Sequence, residues 1–324
     1  MRSFLETYGV AIFTLVLMAI LIAFASPFGI RIKQYVCDSV NTTTEISSKE
    51  IDNRDKVPIS DQVYAMLYTD GELVLSSDPI TAEKTVATDY HGSTWESVVD
   101  GYPAWKGNTS VTSVRIIGTL RPSHCTHLFA ELTNLTTIKN IENLDTSACT
   151  SLLGMFENCQ NLTSIDLTHF NTSNVINMAR MFSNCYKITT LNFSTFDTSN
   201  VIDMRSMFAQ CHSITLLSLT TFDTSNVTSM ISMFDGCIKL LGVNMSTFNT
   251  NNVESFDGMF AYCYTILSID FSNFHISNTA TVSNMFIQVN QNVKITSSKD
   301  IKTKLYTDST YATTQIAESN WTVK

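Results

Sequence analysis

Five cysteines, Cys159, Cys185, Cys211, Cys237 and Cys263, stand 26 residues apart. Thiols in such a series could hold a metal, form disulfides or pack as small hydrophobes. The spacing matches no C-x-x-C zinc signature, and no second ligand travels with each cysteine. The same slot holds Leu132 in an earlier copy and Val289 in a later one. A position that accepts Leu and Val is apolar and buried, which suits a free thiol used for packing. Disulfides between successive copies stay open as the alternative, because stacked Cα atoms about 5 Å apart lie within bridging range. Cys125 and Cys149 fall outside this register.

A second series runs Asp145, Asn171, Asp197, Asp223, Asn249 and His275. Calcium wants roughly 6–8 oxygens, and half of this column is Asn or His. Side chains of this kind ahead of Thr-Ser-Asn are expected to stabilise turns. The one tight histidine cluster, "SHCTH" from Ser123 to His127, would need further ligands from elsewhere to bind a metal. No G-x-S-x-G, P-loop, dinucleotide fingerprint or H-E-x-x-H is present, so no catalytic, metal or cofactor-binding residue is assigned and the reading is of a non-enzyme.

The elements that position these columns are repeats. A Met-Phe pair falls at Met155-Phe156, Met181-Phe182, Met207-Phe208, Met233-Phe234, Met259-Phe260 and Met285-Phe286, with Leu128-Phe129 as a degenerate earlier copy. Spacing this strict implies about seven coils, each of which must stack on the last. Within a coil, "LTSIDLTHF" (Leu162 to Phe170) alternates Ile165 and Leu167 inward with Ser164, Asp166 and Thr168 outward, as a strand does. "TSNVINMARMFSNC" (Thr172 to Cys185) sets Val175, Met178, Met181, Phe182 and Cys185 at steps of three and four, the stripe of a short helix or 3-10 turns. The expected fold class is an α/β solenoid, a leucine-rich-repeat-like right-handed stack with a continuous parallel sheet. The outward strand residues Asp166, Asn192, Ser218, Asn244 and Asp270 then form a polar column, the candidate interaction face.

The flanks complete the plan. Gly9 to Ile30 is an uncharged apolar run long enough to cross a bilayer. Residues 1–34 are read as a transmembrane anchor; a cleaved signal peptide, with small-x-small at Ala23 to Ala25, is the alternative. Both export the remainder, which places the repeats outside a single-pass anchor at the cell membrane. Residues 35–60 read as a polar linker, 61–124 as a β-rich cap, 125–290 as the solenoid and 291–324 as a C-terminal cap of strand, short helix and final strand. In the N-terminal cap, "VYAMLYTDGELVLSSD" predicts a hairpin with a type I′ turn at Asp70-Gly71. Charged residues make up only 15% of the chain and the formal net charge is −9, which leaves no basic surface for nucleic acid.

The pattern F-[ND]-T-S-N-V-x-x-M-x-x-M-F-x-x-C-x-x-[LI], followed by [LI]-[ND]-[LF]-S-x-F, resembles the repeat of the BspA-like leucine-rich-repeat surface proteins, over about Leu128 to Val289. The resemblance implies a cell-surface protein that contacts protein or glycan on host or neighbouring cells, with no catalytic residues and no cofactor. The chain has neither a lipobox nor a C-terminal wall-sorting signal, so attachment to the membrane would come from the N-terminal helix. The alternative is a structural spacer or assembly subunit of a surface layer or appendage, with no ligand of its own.

Overall fold

The computed structural model of the chain describes residues 62–90, 93–94, 102–308 and 316–324. The apolar run Gly9 to Ile30 and the polar linker lie outside the described residues. Among those described, no helix is long and apolar enough to cross a membrane.

The described part opens with the antiparallel hairpin of β1 (Gln62–Tyr68) and β2 (Glu72–Ser76). The predicted type I′ turn needs two left-handed residues, but Gly71 alone takes positive φ, and its N–H bonds to Tyr68 O at 3.0 Å. A Cβ on Gly71 would meet Thr112 Oγ1 at 2.6 Å, so the loop can press against the next strand only as glycine. Short strands β3 (Val86–Asp89) and β4 (Ser93–Thr94) pair with β1. On the other side β2 pairs in parallel with β5 (Ser113–Ile117), and β5 with β6 (Thr137–Lys139). The cap sheet therefore runs into the strand column of the stack. Trp105, fully buried, joins them by donating its indole N–H to Leu128 O at 2.8 Å.

Further along lie β7 (Leu216–Ser218), β8 (Gly242–Asn244), β9 (Ser268–Asp270), β10 (Lys294–Ser297) and β11 (Trp321–Val323). Their central residues continue one column: Val114, Ile138, Ile165, Leu191, Leu217, Val243, Ile269, Ile295 and Trp321, enclosing about eight turns where the Met-Phe pairs predict seven. The extra turn is the last. Its strands keep the step from Ile295 to Trp321, while its return limb carries the α-helix Lys299–Asp308 in place of a Met-Phe copy. The strand, helix and strand expected at the C-terminus are present, and the repeat is lost there only in the return limb.

The expected continuous sheet is not found. Strands β7 to β9 are three residues each, and the described strands fall into three separate sheets. In the coils at 162–170 and 188–196 the alternation survives without strand pairing: Leu167 and Phe193 are buried, and Ser164, Asp166, Thr168 and Asn192 are exposed. Side-chain burial, not a backbone ladder, holds that limb in register.

The expected helix is not found either, although Val175, Met178, Met181, Phe182 and Cys185 are all fully buried. The reason is backbone handedness. Positive φ occurs in pairs four residues apart, at 127/131, 154/158, 180/184, 206/210, 232/236, 258/262 and 284/288. A left-handed residue ends an α-helix, so the limb becomes tandem four-residue turns. Met155 N–H bonds to Leu152 O and Cys159 N–H to Phe156 O, with Gly154 and Asn158 as the left-handed third residues, as in type II turns. Such turns send residues inward at steps of three and four, the same spacing as a helical stripe. The intervening amides of Leu152, Gly154, Phe156 and Asn158 cross to carbonyls of Asn177, Ala179, Met181 and Ser183 at 2.8–2.9 Å. Donors that a helix would satisfy internally are satisfied by the next coil. The fold is thus a β-solenoid with little helix. Inside it the phenylalanines of the Met-Phe pairs stack ring on ring from Phe129 to Phe286, with centroids 5.3–6.4 Å apart.

Candidate binding face

The four letters of Asp-Thr-Ser-Asn at each corner have separate tasks. The first is the Asx-turn acceptor: Asp197 Oδ1 takes Ser199 N–H at 3.0 Å, and Asp145, Asn171, Asp223 and Asn249 do the same in their coils. This is the turn-stabilising role expected of the column, met by its five Asp and Asn members. Hydrogen bonds from Ser199 hold the Asp197 carboxyl below the usual carboxylate range. The threonine is buried and links forward: Thr224 Oγ1 donates to Asn249 O at 2.9 Å and accepts Asn249 N–H at 2.8 Å. The final asparagine links back, as Asn200 Nδ2 does to Ser173 O at 2.7 Å. Sequence reasoning read this run as turn-forming and missed the two-way coil-to-coil bonding; Thr at five of the six corners, with Ile276 at the sixth, was the available signal.

The cysteine column packs as expected and also hydrogen-bonds. All five are free and buried, and each Sγ donates to the carbonyl of a phenylalanine one coil back, from Cys159 to Phe129 O at 3.0 Å to Cys263 to Phe234 O at 3.2 Å. Burial pushes the thiols up, Cys237 to about 12, so they are held as neutral donors.

The strand limb presents the opposite character. Asp166, Asn192, Ser218, Asn244 and Asp270 are all exposed, one per coil, and Ser218 pairs directly with Asn244 in the β7–β8 register. Each also shapes its own backbone. Asp166 Oδ1 accepts Thr168 N–H at 2.9 Å, Asn192 Oδ1 accepts Ser194 N–H at 3.0 Å, and Asn244 Oδ1 accepts Ser246 N–H at 3.1 Å. Asp270 Oδ1 accepts Ser272 N–H at 2.8 Å, and Ser218 meets Thr220 hydroxyl to hydroxyl at 3.4 Å. These bonds fix one edge of each side chain and direct the rest outward. The Thr168 hydroxyl and N–H hold the Asp166 carboxyl below the usual range; for Asp270 burial pushes upward, but Ser272 outweighs it. Both are ionised acceptors at neutral pH.

Three of the five, Ser218, Asn244 and Asp270, border a groove of about 590 Å³ across β7, β8 and β9. Its cause is local. The column Ser164, Thr190, Leu216, Gly242, Ser268 loses its side chain at Gly242, and the inward residue beside it is the small Val243. Val243 is half-buried, whereas its column neighbours Leu217 and Ile269 are buried. Leu216 stands 69% exposed on the rim, a large apolar side chain where earlier coils carry Ser or Thr. The groove thus has an apolar floor and amide, hydroxyl and carboxylate walls. Asp166 and Asn192 lie outside it on the same face. Neither Gly242 nor Leu216 was singled out from sequence; their departure from a Ser/Thr column was the available sign.

Two overlapping segments, 123–216 and 213–321, match the family described as "Mycoplasma protein of unknown function, DUF285". The chain is similar in structure to a leucine-rich repeat protein of T. pallidum, at 17% identity and TM-score 0.34, over 65% of this chain and 91% of that one. It is also similar to a leucine-rich repeat protein of Bacteroides ovatus, at 15% identity and TM-score 0.30, over 75% and 71%. No curated protein matches it.

Proposed function

The chain belongs to the DUF285 family, a Mycoplasma and BspA-like repeat family, and we propose that it is an exported, non-enzymatic binding protein whose strand limb receives an extended partner. The observation that carries this reading is the open groove at Gly242 on the outward face of the strand limb. Its chemistry suits a polymer with alternating apolar and hydrogen-bonding groups, a glycan or an extended peptide on a host or neighbouring cell, running across successive coils. The N-terminal apolar run would hold the protein at the membrane with the repeats outward.

Gly242→Leu tests this without disturbing the fold, because a Cβ there meets only Leu216 Cδ2 at 3.9 Å and Leu already occupies the slot one coil earlier. The full chain in detergent is titrated against arrayed glycans and extracellular-matrix proteins. Saturable binding that weakens at least about tenfold in Gly242→Leu and Asn244→Ala, roughly 1.4 kcal/mol each, with unchanged circular dichroism supports the proposal. Absence of saturable binding, or binding indifferent to both changes, favours a spacer. The spacer reading draws on one observation: each face residue already serves its own turn.

A further inference from the structure

We propose that Cys125 and Cys149 form a disulfide that fastens the first coil to the second when the chain folds in an oxidising compartment. Their Sγ atoms face each other at 3.0 Å in the core. Cys149 Sγ also reaches Pro122 O, but at the longer 3.5 Å, whereas each cysteine of the repeating column aims its sulfur at a phenylalanine carbonyl and, among the described residues, at no other sulfur within bonding distance. Hydrogen-bond patterns identify the two slots. Cys125 N–H crosses to Ser151 O as Met178 N–H crosses to Asp203 O, and Cys149 N–H bonds to Thr146 O as Val175 N–H bonds to Thr172 O. The pair therefore stands in a Met-type and a Val-type core slot, on successive coils.

The backbone on both sides is already pinned at bonding distance. Cys125 N–H to Ser151 O and Thr150 N–H to Ser123 O are both 2.9 Å, and Thr126 and Ser151 bond through their hydroxyls at 2.9 Å. Closing the sulfurs to about 2.05 Å asks for roughly 1 Å of relative movement, within reach of side-chain rotation. The oxidant is a disulfide, carried by an exchange catalyst or a small thiol. One cysteine thiolate attacks it and releases the first thiol, and the second cysteine resolves the mixed disulfide and releases the other. Two protons and two electrons leave the pair, and the oxidant is reduced to two thiols. The bond would sit beside the Trp105 to Leu128 contact that joins cap to stack, at an end of the repeat array, where fraying begins.

The full chain is refolded in reduced and oxidised glutathione, quenched with acid, unfolded and alkylated without reduction. Of its eight cysteines, six should take label, and the intact mass should show a loss of about 2 Da for one disulfide. Proteolysis should give a linked peptide holding Cys125 and Cys149. Eight labelled cysteines, or a linkage within the 159–263 column, would overturn the proposal. A second measurement uses Cys125→Met with Cys149→Val, the residue types native to those slots. A reductant should lower the melting temperature of the oxidised wild type by roughly 5 °C and leave the variant unmoved. An equal response in both contradicts it.

Discussion

The two limbs of each coil are built by different rules. On the turn limb the chain hands its backbone bonds to the next coil in a pattern that hardly varies: Gly154 to Ala179, Arg180 to Arg205, Ser206 to Ile231, Ser232 to Asp257 and Gly258 to Ser283, all at 2.8–2.9 Å. On the strand limb of the coils at 162–170 and 188–196, no described amide from Ser164 to Leu167 or from Thr190 to Phe193 bonds to a backbone carbonyl. One limb is a scaffold fixed by main-chain bonds that are indifferent to side-chain identity. In those two coils the other limb is held by buried side chains, with only short three- to five-residue ladders elsewhere, which leaves its outward positions free to vary. In repeat proteins stability is a sum over neighbouring units, so a fixed limb lets the other be altered coil by coil without loss of the stack.

The largest break should come from the turn limb's core. Phe208→Ala interrupts the ring stack between Phe182 and Phe234 and should cost about 3–5 kcal/mol in chemical denaturation. A smaller loss or a two-stage transition would mean that the coils unfold semi-independently. Thr224→Val keeps the volume but removes the buried hydroxyl that bonds both the N–H and the C=O of Asn249, and should cost about 2 kcal/mol.

Acid should probe the first turn of this limb. His127 is buried beside Tyr102, with Nδ1 3.5 Å from Glu157, and burial, aided by the charges of Lys106 and Arg180 against that of Glu131, lowers it to about 4. The histidine is neutral when folded, so its contribution is complete above about pH 6.5 and is lost as pH falls through about 4, at most about 3 kcal/mol. Glu157, raised by burial, shifts in the opposite sense and offsets part of this. Melting temperature followed from pH 7 to pH 4 should fall, and His127→Asn should flatten the curve; an unchanged slope would assign the acid sensitivity elsewhere. At the small end, Asn192→Ala on the strand face removes one exposed bond to Ser194 and should move stability by less than about 1 kcal/mol. A loss as large as that of Thr224→Val would erase the distinction between the limbs.

How much of this was readable in sequence follows from the same distinction. Core slots were legible because burial selects residue type: Val175, Met178, Phe182 and Cys185 announced themselves by spacing alone. The corner acids were legible because Asx turns prefer Asp and Asn. Backbone handedness was not, since Arg180, Ser206 and Ser232 take positive φ although nothing in their chemistry favours it. Their conformation is imposed by the neighbouring coil, so a three-and-four spacing was read as a helix. The outward column of Asp166, Asn192, Ser218, Asn244 and Asp270 was visible as a row of exposed polar residues. The groove within it was not, because it arises from a missing side chain at Gly242 and a small one at Val243.

Hydrogen–deuterium exchange on the full chain tests the division of labour most directly. Slow exchange is expected for the turn-limb amides at 152–158, 178–184, 204–210 and 230–236, at similar rates in each of these coils, and much faster exchange at 164–167 and 190–193. Equal protection on both limbs, or slow exchange confined to the strand limb, would contradict it.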